Sequence, residues 1–337
     1  MATIKEIAKK ADTSISTVSR VLNFDESLRV SDEKRELILK IAEELQYDVK
    51  SKRKRKSSYK IGVVSMYTTH EELDDPFYLS IRLGVEKKLN GNDIDLIIVH
   101  DSESGFDYSR LKGVDGIVAI GHFTHTEIKR FVSITPHVAF VNSDPDPSKY
   151  DSLLFDGESA VRQVTDHLFD LGHRKIGFIG VQSVRQKKAI DLKENRYELV
   201  SKYFGEKGIY DERFIYHGGK TYKDGYEIMK AIIDKDDMPT AFFVGNDSMC
   251  IGALTALYQA GIRVPEHISI IGYNDITNAE FAQPPLTTVR IHTELMGEKA
   301  LEMVLDRIKG RDVPLKIISP TRLIERNSTA KANGKTS

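Results

Sequence analysis

The chain has 337 residues, 40% of them hydrophobic and 29% charged, with a formal net charge of −1. This length allows two or three domains, and the composition excludes a disordered or fibrous protein. No apolar run reaches the roughly 18–20 residues of a membrane helix, and the first residues lack the apolar core of a secretory signal. One cysteine, Cys250, excludes an internal disulfide framework. We therefore expect a cytoplasmic protein.

The charge is divided unevenly along the chain. Residues 1–60 carry fifteen Lys/Arg and ten Asp/Glu, a net charge of +5, and the remainder carries −6. A basic first domain on an acidic body indicates a polyanionic partner for the first part only.

Residues 2–23 contain two short helical patterns separated by a three-residue break. Thr3 and Glu6 have the spacing of a capping box for the first helix, and Ser14 is placed to cap the second. Asp12, in the break, tolerates the left-handed backbone that a tight turn needs. The apolar positions recur at helical spacing and are expected to be buried: Ile4, Ile7, Ala8, Ala11, Val18, Val21 and Leu22.

The outward face of the second helix is small or polar, apart from one isoleucine. Its members are Ile15, Ser16, Thr17, Ser19, Arg20 and Asn23. This face consists mainly of uncharged hydrogen-bonding residues and includes an arginine near its end. Such a face is typical of a helix-turn-helix that lays its second helix in the DNA major groove. On this pattern alone, a helical hairpin at the edge of an enzyme domain is the alternative.

The run TIKEIAKKADTSISTVSRVLN closely resembles the lactose/galactose repressor (LacI/GalR) family, whose recognition helix reads S-x-x-T-V-S-R-V-x-N. The resemblance implies that Ile15, Ser16 and Arg20 read base edges. Arg20 can bind guanine with two hydrogen bonds, and Ile15 can pack on a thymine methyl group; for Arg20 the alternative is a phosphate contact. The remaining polar residues of this face are expected to hold phosphates: Thr17, Ser19 and Asn23.

A third helix is predicted from Ser31, with Leu37, Ile38, Ile41 and Leu45 as its buried stripe. It completes a DNA-binding headpiece over residues 1–49.

A basic linker, residues 50–59, follows the headpiece. The residues expected to contact DNA phosphates or the minor groove are Lys52, Arg53, Lys54, Arg55 and Lys56. A solvated tether is the alternative. The resembled family usually has a hinge helix whose leucine inserts into the operator's minor groove. Here Lys56 occupies the expected position of that leucine, which puts leucine insertion in doubt.

From residue 60 the pattern alternates between strand and helix. The predicted buried parallel strands are 61–64, 94–99, 116–120, 137–141, 175–180, 214–217, 240–245 and 268–273. The helices predicted between them are 78–89, 124–132, 158–171, 190–207, 222–234 and 248–260. Two successive series of this kind predict an α/β protein with two doubly wound lobes and a ligand cleft beyond the carboxyl ends of their strands.

This part of the chain also resembles the family's sugar-binding core, which shares the fold of periplasmic binding proteins; PPLTTVR and LIERNST are among the matching motifs. The resemblance implies three crossings between lobes, so that helix 293–309 and strand 315–319 return to the first lobe. The expected core is 60–329, with lobe 1 at about 60–157 and 292–327 and lobe 2 at about 158–289. Residues 330–337 are expected to form a disordered tail without a leucine heptad, which favours a homodimer over a tetramer.

Polar and aromatic residues at predicted strand ends are candidates for binding a sugar, because amides bond hydroxyl groups and aromatic rings pack on the C–H face of a sugar ring. The candidates are Phe77, Tyr78, Asn142, Phe155, Asn246 and Asn274. Lys193 occupies the apparent position of an arginine that anchors the effector in the family. The competing interpretation is that Asn246, Asp247, Asn274 and Asp275 only cap helices and turns.

Enzyme signatures are incomplete. The sequence has no dinucleotide fingerprint after a strand and no nucleophile elbow. His122 and His125 are spaced as a possible metal pair, but no nearby Cys or further His completes a site. We expect no catalytic residue, no metal and no cofactor.

The sequence thus predicts a sequence-specific transcriptional regulator that acts as a repressor of sugar catabolism. Three partners are expected: a near-palindromic double-stranded DNA operator, a second copy of itself, and a small sugar or sugar-phosphate effector. Within the family, the chain looks most like the galactose or β-galactoside repressors of Gram-positive bacteria. The alternative is a cytoplasmic sugar-binding protein without functional DNA recognition.

Overall fold

The computed structural model describes residues 3–22, 28, 30–45, 47, 59–89, 94–181 and 196–332. The chain divides into two compact units, residues 1–58 and 59–337. Among the described residues, no helix is both long and apolar enough to cross a membrane.

The described residues of the first unit form three helices: α1 (Ile4–Lys10), α2 (Ile15–Leu22) and α3 (Asp32–Glu44). The predicted local signals are confirmed. Thr3 and Glu6 form the capping box of α1, the Ser14 hydroxyl accepts the Thr17 N–H at 3.0 Å at the start of α2, and Asp12 has φ +44° in the break. Ile7, Val18 and Ile38 lie in the shared core.

One headpiece prediction is wrong. Leu37 is 42% exposed, and the buried positions of α3 are Ile38, Ile41 and Ala42. Adjacent residues of a helix are about 100° apart, so a stripe centred on Ile38 and Ile41 turns Leu37 towards solvent.

In the second unit, the first lobe is a parallel sheet of six strands in the order β11-β5-β4-β3-β1-β2. Its strands are β1 (Tyr59–Ser65), β2 (Ile94–His100), β3 (Gly116–Ile120), β4 (Val138–Val141), β5 (Asp151–Phe155) and β11 (Lys316–Ser319). Its helices are α4 (Thr69–Asp74), α5 (Phe77–Lys87), α6 (His125–Ile134) and α12 (Thr293–Ile308).

The second lobe is a parallel sheet in the order β7-β6-β8-β9. Its strands are β6 (Ile176–Val181), β7 (Ile215–Gly218), β8 (Ala241–Val244) and β9 (Ser269–Ile271). Its helices are α7 (Gly157–Asp170), α8 (Arg196–Glu206), α9 (Tyr222–Ile233), α10 (Asp247–Gln259) and the short α11 (Thr277–Glu280). The predicted fold class, two doubly wound lobes after a helix-turn-helix, is confirmed.

Two predicted strands are less buried than expected. β2 and β7 each pair with a single neighbour at the edge of a sheet, and Asp95 and His217 on them are exposed. An edge strand has solvent on one side, so an apolar run alone does not make it fully buried.

The lobes are joined by a two-stranded antiparallel ribbon of β10 (Thr288–Ile291) and β12 (Thr321–Ile324). As predicted, the chain returns to the first lobe through α12 and β11, which pairs with β5. The chain then leaves this lobe again, and the Asn327 N–H donates to the Pro285 carbonyl at 2.9 Å. Ser328 donates to the Ile270 carbonyl at 2.6 Å, which places it on the second lobe.

Two segment boundaries differ from the prediction: the end of the linker and the start of the tail. Tyr59 belongs to β1 and not to the linker, because it pairs in register with Ile94. Residues 330–332 are ordered, since the Ala332 N–H donates to the Leu171 carbonyl at 2.8 Å. The expected linker contacts Lys52 to Lys56 and the tail beyond residue 332 lie outside the described residues.

Candidate functional site

The recognition face of α2 is the candidate DNA interface. Ile15 is 52% exposed, Ser16 and Arg20 are also exposed, and Thr17 and Ser19 are half-buried. The opposite face of α2 packs Val18, Val21 and Leu22 into the headpiece core. The core thus holds the helix while its outward side chains stay available to a groove. Asn23 lies outside the described residues.

In the second unit, the strands of both sheets end at a cleft between the lobes. Asn142 directly follows β4, Asn246 follows β8 after one residue, and Asn274 lies three residues beyond β9. All three asparagines are buried, at 8%, 2% and 8% exposure. The carboxyl ends of parallel strands meet at one edge, which is where doubly wound sheets bind ligands.

A continuous series of aromatic rings crosses from one lobe to the other in this cleft. We call it the aromatic chain: Tyr67, Tyr78, Phe77, Phe155 and Tyr273. The successive ring centroids are 4.6, 5.0, 6.1 and 6.2 Å apart, and each pair meets edge to face. Predicted binding residues Phe77, Tyr78 and Phe155 belong to it.

Asn142 is held against this chain. Its backbone has φ +62°, a left-handed conformation that asparagine tolerates better than most residues. Its side-chain amide donates to the Tyr78 hydroxyl at 2.9 Å and lies 3.4 Å from His122 Nε2. A hydroxyl-bearing ligand at this point therefore meets an amide, a phenol and an imidazole together. His125, by contrast, is exposed at the start of α6.

Four residues connect the lobes directly, and we call them the interlobe latch: Glu71 and Asp75 of the first lobe, Lys220 and Asn246 of the second. Lys220 Nζ donates to Glu71 Oε1 at 2.6 Å and lies 3.7 Å from the centroid of the Tyr67 ring. The Asn246 amide donates to Asp75 Oδ2 at 3.2 Å and to the Lys220 carbonyl at 2.9 Å.

Electrostatics at the latch follow from burial. Burial raises the pKa of Asp75 to about 6, despite hydrogen bonds from Phe77 and Asn246 and the nearby charge of Lys220. Partial burial favours a higher pKa for Glu71. Its hydrogen bonds with Lys220 and Thr68 outweigh burial and hold the pKa below the usual value. Glu71 is therefore ionised at neutral pH.

Arg196, the first described residue of α8, was not identified from the sequence. Its guanidinium carbon lies 4.1 Å from the Tyr273 ring centroid, and Nη1 donates to the Gly245 carbonyl at 2.5 Å. Its Nε is buried and has no partner among the described residues. Lys193, predicted to provide the effector-anchoring cation, lies outside the described residues. The sequence signal that could have identified Arg196 is an arginine that directly precedes the apolar positions of α8.

Asp247 and Asp275 brace the structure instead of facing the cleft. Asp247 accepts hydrogen bonds from Tyr273 N, Ile276 N and Thr288 Oγ1, and burial raises its pKa to about 7. Asp275 pairs with two arginines, Arg290 at 2.5 Å and Arg326 at 2.7 Å. The geometry therefore supports a structural role for Asp247 and Asp275, and not a contact with a ligand.

Asn246 and Asn274 also have structural roles. Asn246 Oδ1 accepts the Met249 N–H at 2.8 Å and so caps α10. Asn274 has φ +114°, and its backbone N–H donates to Val289 O at 2.9 Å, next to the ribbon. Capping and ligand contact are compatible for Asn246, since its amide N–H₂ group points to the opposite lobe. Among the described residues, no cluster of three or more His, Cys, Asp or Glu is arranged to hold a metal.

Residues 3–49 match the family model "Bacterial regulatory proteins, lacI family", and residues 165–329 match the "Periplasmic binding protein-like domain". The chain is 40% identical over 338 residues to the HTH-type transcriptional repressor MelR of Bacillus subtilis (strain 168), covering 97% of each chain. It is 36% identical to the HTH-type transcriptional regulator GalR of Streptococcus thermophilus, covering 98% of this chain and 100% of that one. A solved structure, the transcriptional regulator CelR–cellobiose complex, is 27% identical with a TM-score of 0.70, covering 97% of this chain and 100% of that chain. The chain therefore belongs to the lacI family of bacterial regulatory proteins, helix-turn-helix transcriptional regulators with a periplasmic binding protein-like domain.

Proposed function

We propose that the protein is a repressor that binds a near-palindromic operator as a homodimer and is controlled by a small sugar in the interlobe cleft. The observation that carries the proposal is the cleft itself, where Asn142 donates to Tyr78 of the aromatic chain, and Asn246 and Asn274 lie buried beyond the ends of neighbouring strands. Amides bond hydroxyl groups pairwise and aromatic faces accept the C–H face of a sugar ring. No catalytic role is proposed for any residue, and the protein would act in the cytoplasm, where the operator is.

On DNA, Ile15, Ser16 and Arg20 would read base edges, while Thr17, Ser19 and Asn23 would hold phosphates. The exposure of the first three and the partial burial of Thr17 and Ser19 support this division. The basic residues Lys52 to Lys56 would add sequence-independent affinity by contacting phosphates. A twofold dimer would present two such headpieces to two half-sites.

In the cleft, the sugar would contact both lobes. The first lobe would provide Phe77, Tyr78, Asn142 and Phe155, and the second Arg196, Asn246 and Asn274. A buried arginine Nε without a partner among the described residues supports a polar ligand at Arg196. Lys193 would be a further contact. A sugar changes operator affinity only through its different affinities for two arrangements of the lobes, and the interlobe latch defines one of them.

Selection of duplexes from a random pool by the full chain tests both parts of the proposal. We expect enrichment of a twofold sequence, and its release when galactose or a β-galactoside is added. CelR in complex with cellobiose makes cellobiose a third candidate for the same competition. Recovery of an unselected pool under all salt and sugar conditions would contradict operator recognition. Enrichment that no sugar alters would contradict the effector class alone.

A further inference from the structure

A cavity of about 290 Å³ lies beside the aromatic chain and extends past it. It shares His122, Asn142 and Phe155 with the candidate sugar site. Beyond Phe155 its walls are Leu154 of β5, Ile318 of β11 and Leu199 of α8. It is therefore continuous with the cleft, and both lobes contribute to it.

Ser143, next to Asn142, lines the cavity and is only 5% exposed. Its hydroxyl has no hydrogen-bond partner among the residues that the structure describes. A buried hydroxyl is unfavourable until a donor or acceptor completes its hydrogen bonds. This side chain therefore points to an occupant with polar atoms of its own.

The acidic groups around the cavity are already engaged. Asp156 Oδ1 accepts the Ser159 N–H at 2.9 Å and caps α7. Glu158 Oε1 accepts the Tyr203 hydroxyl at 2.5 Å and the Lys202 ammonium at 2.8 Å. No Lys or Arg occurs among the described residues that line the cavity. The lining therefore offers an anionic occupant such as a sugar phosphate two carboxylates and no cation of its own.

We propose that this cavity binds the second, uncharged ring of a disaccharide or glycoside whose first ring lies on the aromatic chain. The proposal rests on the proposed function, since it needs a sugar in the cleft. Ser143 donates to or accepts from a hydroxyl group of the second ring. Leu154, Leu199 and Ile318 cover its C–H surface. The cavity then favours two-ring effectors over the corresponding monosaccharides.

Isothermal titration calorimetry on the full chain tests the proposal with two sets of probes: galactose with lactose and melibiose, and glucose with cellobiose. We expect at least one disaccharide to bind about tenfold or more tightly than its monosaccharide. Ile318 is 56% exposed, so Ile318→Trp can narrow the cavity without disturbing the core. It is expected to bring the affinity ratio of that pair close to one.

Val313→Trp is the matched control, because Val313 is 61% exposed on the segment before β11 and does not line the cavity. It is expected to keep the wild-type ratio. Ser143→Ala, a smaller change, is expected to lower the ratio about fivefold. Equal affinities for mono- and disaccharides, or an unchanged ratio in both Ile318→Trp and Ser143→Ala, would overturn the second-ring site and leave the proposed function intact. Absence of binding by every sugar in both sets would overturn the sugar assignment itself, and this proposal with it.

Discussion

Asn246 performs two tasks with one amide group. Its oxygen caps α10, while its nitrogen donates across the cleft to Asp75 and to the Lys220 carbonyl. A sugar hydroxyl that bonds this nitrogen must therefore compete with a contact between lobes. In the proposed function, one residue would thus couple occupancy of the cleft to the arrangement of the lobes, which is the coupling that an effector requires.

The sequence located residues at strand ends better than residues at helix starts. Asn142, Asn246 and Asn274 follow buried apolar runs, and the ends of such runs are well defined. Arg196 was not singled out because the resemblance assigned the effector-anchoring position to Lys193, and periodicity does not distinguish Arg196 from the other polar residues of the predicted helix 190–207. Periodicity places the face of a helix but not its first residue.

Replacement of Arg20 by alanine is expected to relax the protein's preference for one base pair of the operator. A guanine contact through two hydrogen bonds contributes about 1–3 kcal/mol to discrimination. Binding of operator variants substituted at each position, measured in one salt concentration, gives the result. The matched control is Lys34→Ala in α3, which lies off the recognition face of α2. If Arg20→Ala weakens specific and random DNA equally, Arg20 contacts a phosphate.

His173 makes stability depend on pH. It is buried between Thr240, Ser269 and the Ala330 carbonyl, and burial lowers its pKa. Below about pH 6.5 the unfolded chain therefore binds a proton that the folded chain does not, so the free energy of unfolding falls as the pH decreases. His167, with its pKa also lowered by burial, acts in the same direction.

The expected contribution of His173 is at most about 1.4 kcal/mol per pH unit. Asp75 and Asp247, whose pKa values are raised, change stability in the opposite sense, so the comparison must be between variants. Urea unfolding at pH 7.5, 6.5 and 5.5 is expected to show a shallower loss of stability in His173→Gln than in the wild type. Parallel pH profiles would show that His173 is protonated alike in both states.

At the scale of elements, each lobe contains one pair of helices in unusually close contact through reciprocal glycines. In the first lobe, a Cβ on Gly297 of α12 would lie 1.9 Å from the Ile81 carbonyl of α5, and one on Gly84 would lie 2.1 Å from the Glu294 carbonyl. In the second lobe, Gly225 of α9 and Gly252 of α10 approach the opposite backbone at 2.0 and 1.9 Å. Each lobe therefore packs two of its own helices together in the same way.

Gly297→Ala is accordingly expected to destabilise the core by about 1–3 kcal/mol, because the atom that the new methyl group meets is backbone and cannot rotate away. Gly205→Ala is the control: Gly205 lies in α8, and a Cβ there meets nothing within 4 Å. That change should be neutral or stabilising by roughly 0.5–1 kcal/mol, since alanine favours a helix. Chemical denaturation measures both. Similar effects of the two substitutions would contradict a tight α5–α12 contact.

Most elements were predictable because their apolar periodicity is strong, as in the runs that became β1, β3, β4 and β8. The ribbon of β10 and β12 was not identified as strands. Each has four residues and pairs with a segment about 30 residues away, so its sheet structure depends on a partner that no local pattern reveals. The exposure of Leu37 was not predicted for a related reason. The spacing of four apolar residues on one helix does not indicate which of them lies at the edge of the core.

At the scale of the whole molecule, the interlobe latch holds the cleft in the arrangement described. Lys220 and Glu71 are 19% and 37% exposed, so their ion pair is screened less than a surface pair. The double-mutant cycle of Lys220→Met and Glu71→Gln is expected to give a coupling of about 1 kcal/mol in sugar affinity. The single variants should also show a larger radius of gyration in small-angle scattering, which bound sugar reverses.

The control for the latch is the pair Lys299 and Glu302, which lies within α12; Lys299 is 47% exposed and Glu302 32%. Lys299→Met and Glu302→Gln alter ion pairs within the first lobe alone, so the radius of gyration should stay at the wild-type value. A coupling near zero for the Lys220–Glu71 cycle, with unchanged scattering, would mean that the aromatic chain alone sets the arrangement of the lobes.

The three crossings between the lobes have a consequence for biosynthesis. Residues 157–271 supply every strand of the smaller sheet, whereas the larger one needs β11, which ends at Ser319. During translation the lobe that starts to emerge first is thus the last to be completed, and its β5 edge waits for a partner some 160 residues downstream. A chain truncated after residue 290 should accordingly expose that edge to chaperones while the smaller sheet resists proteases.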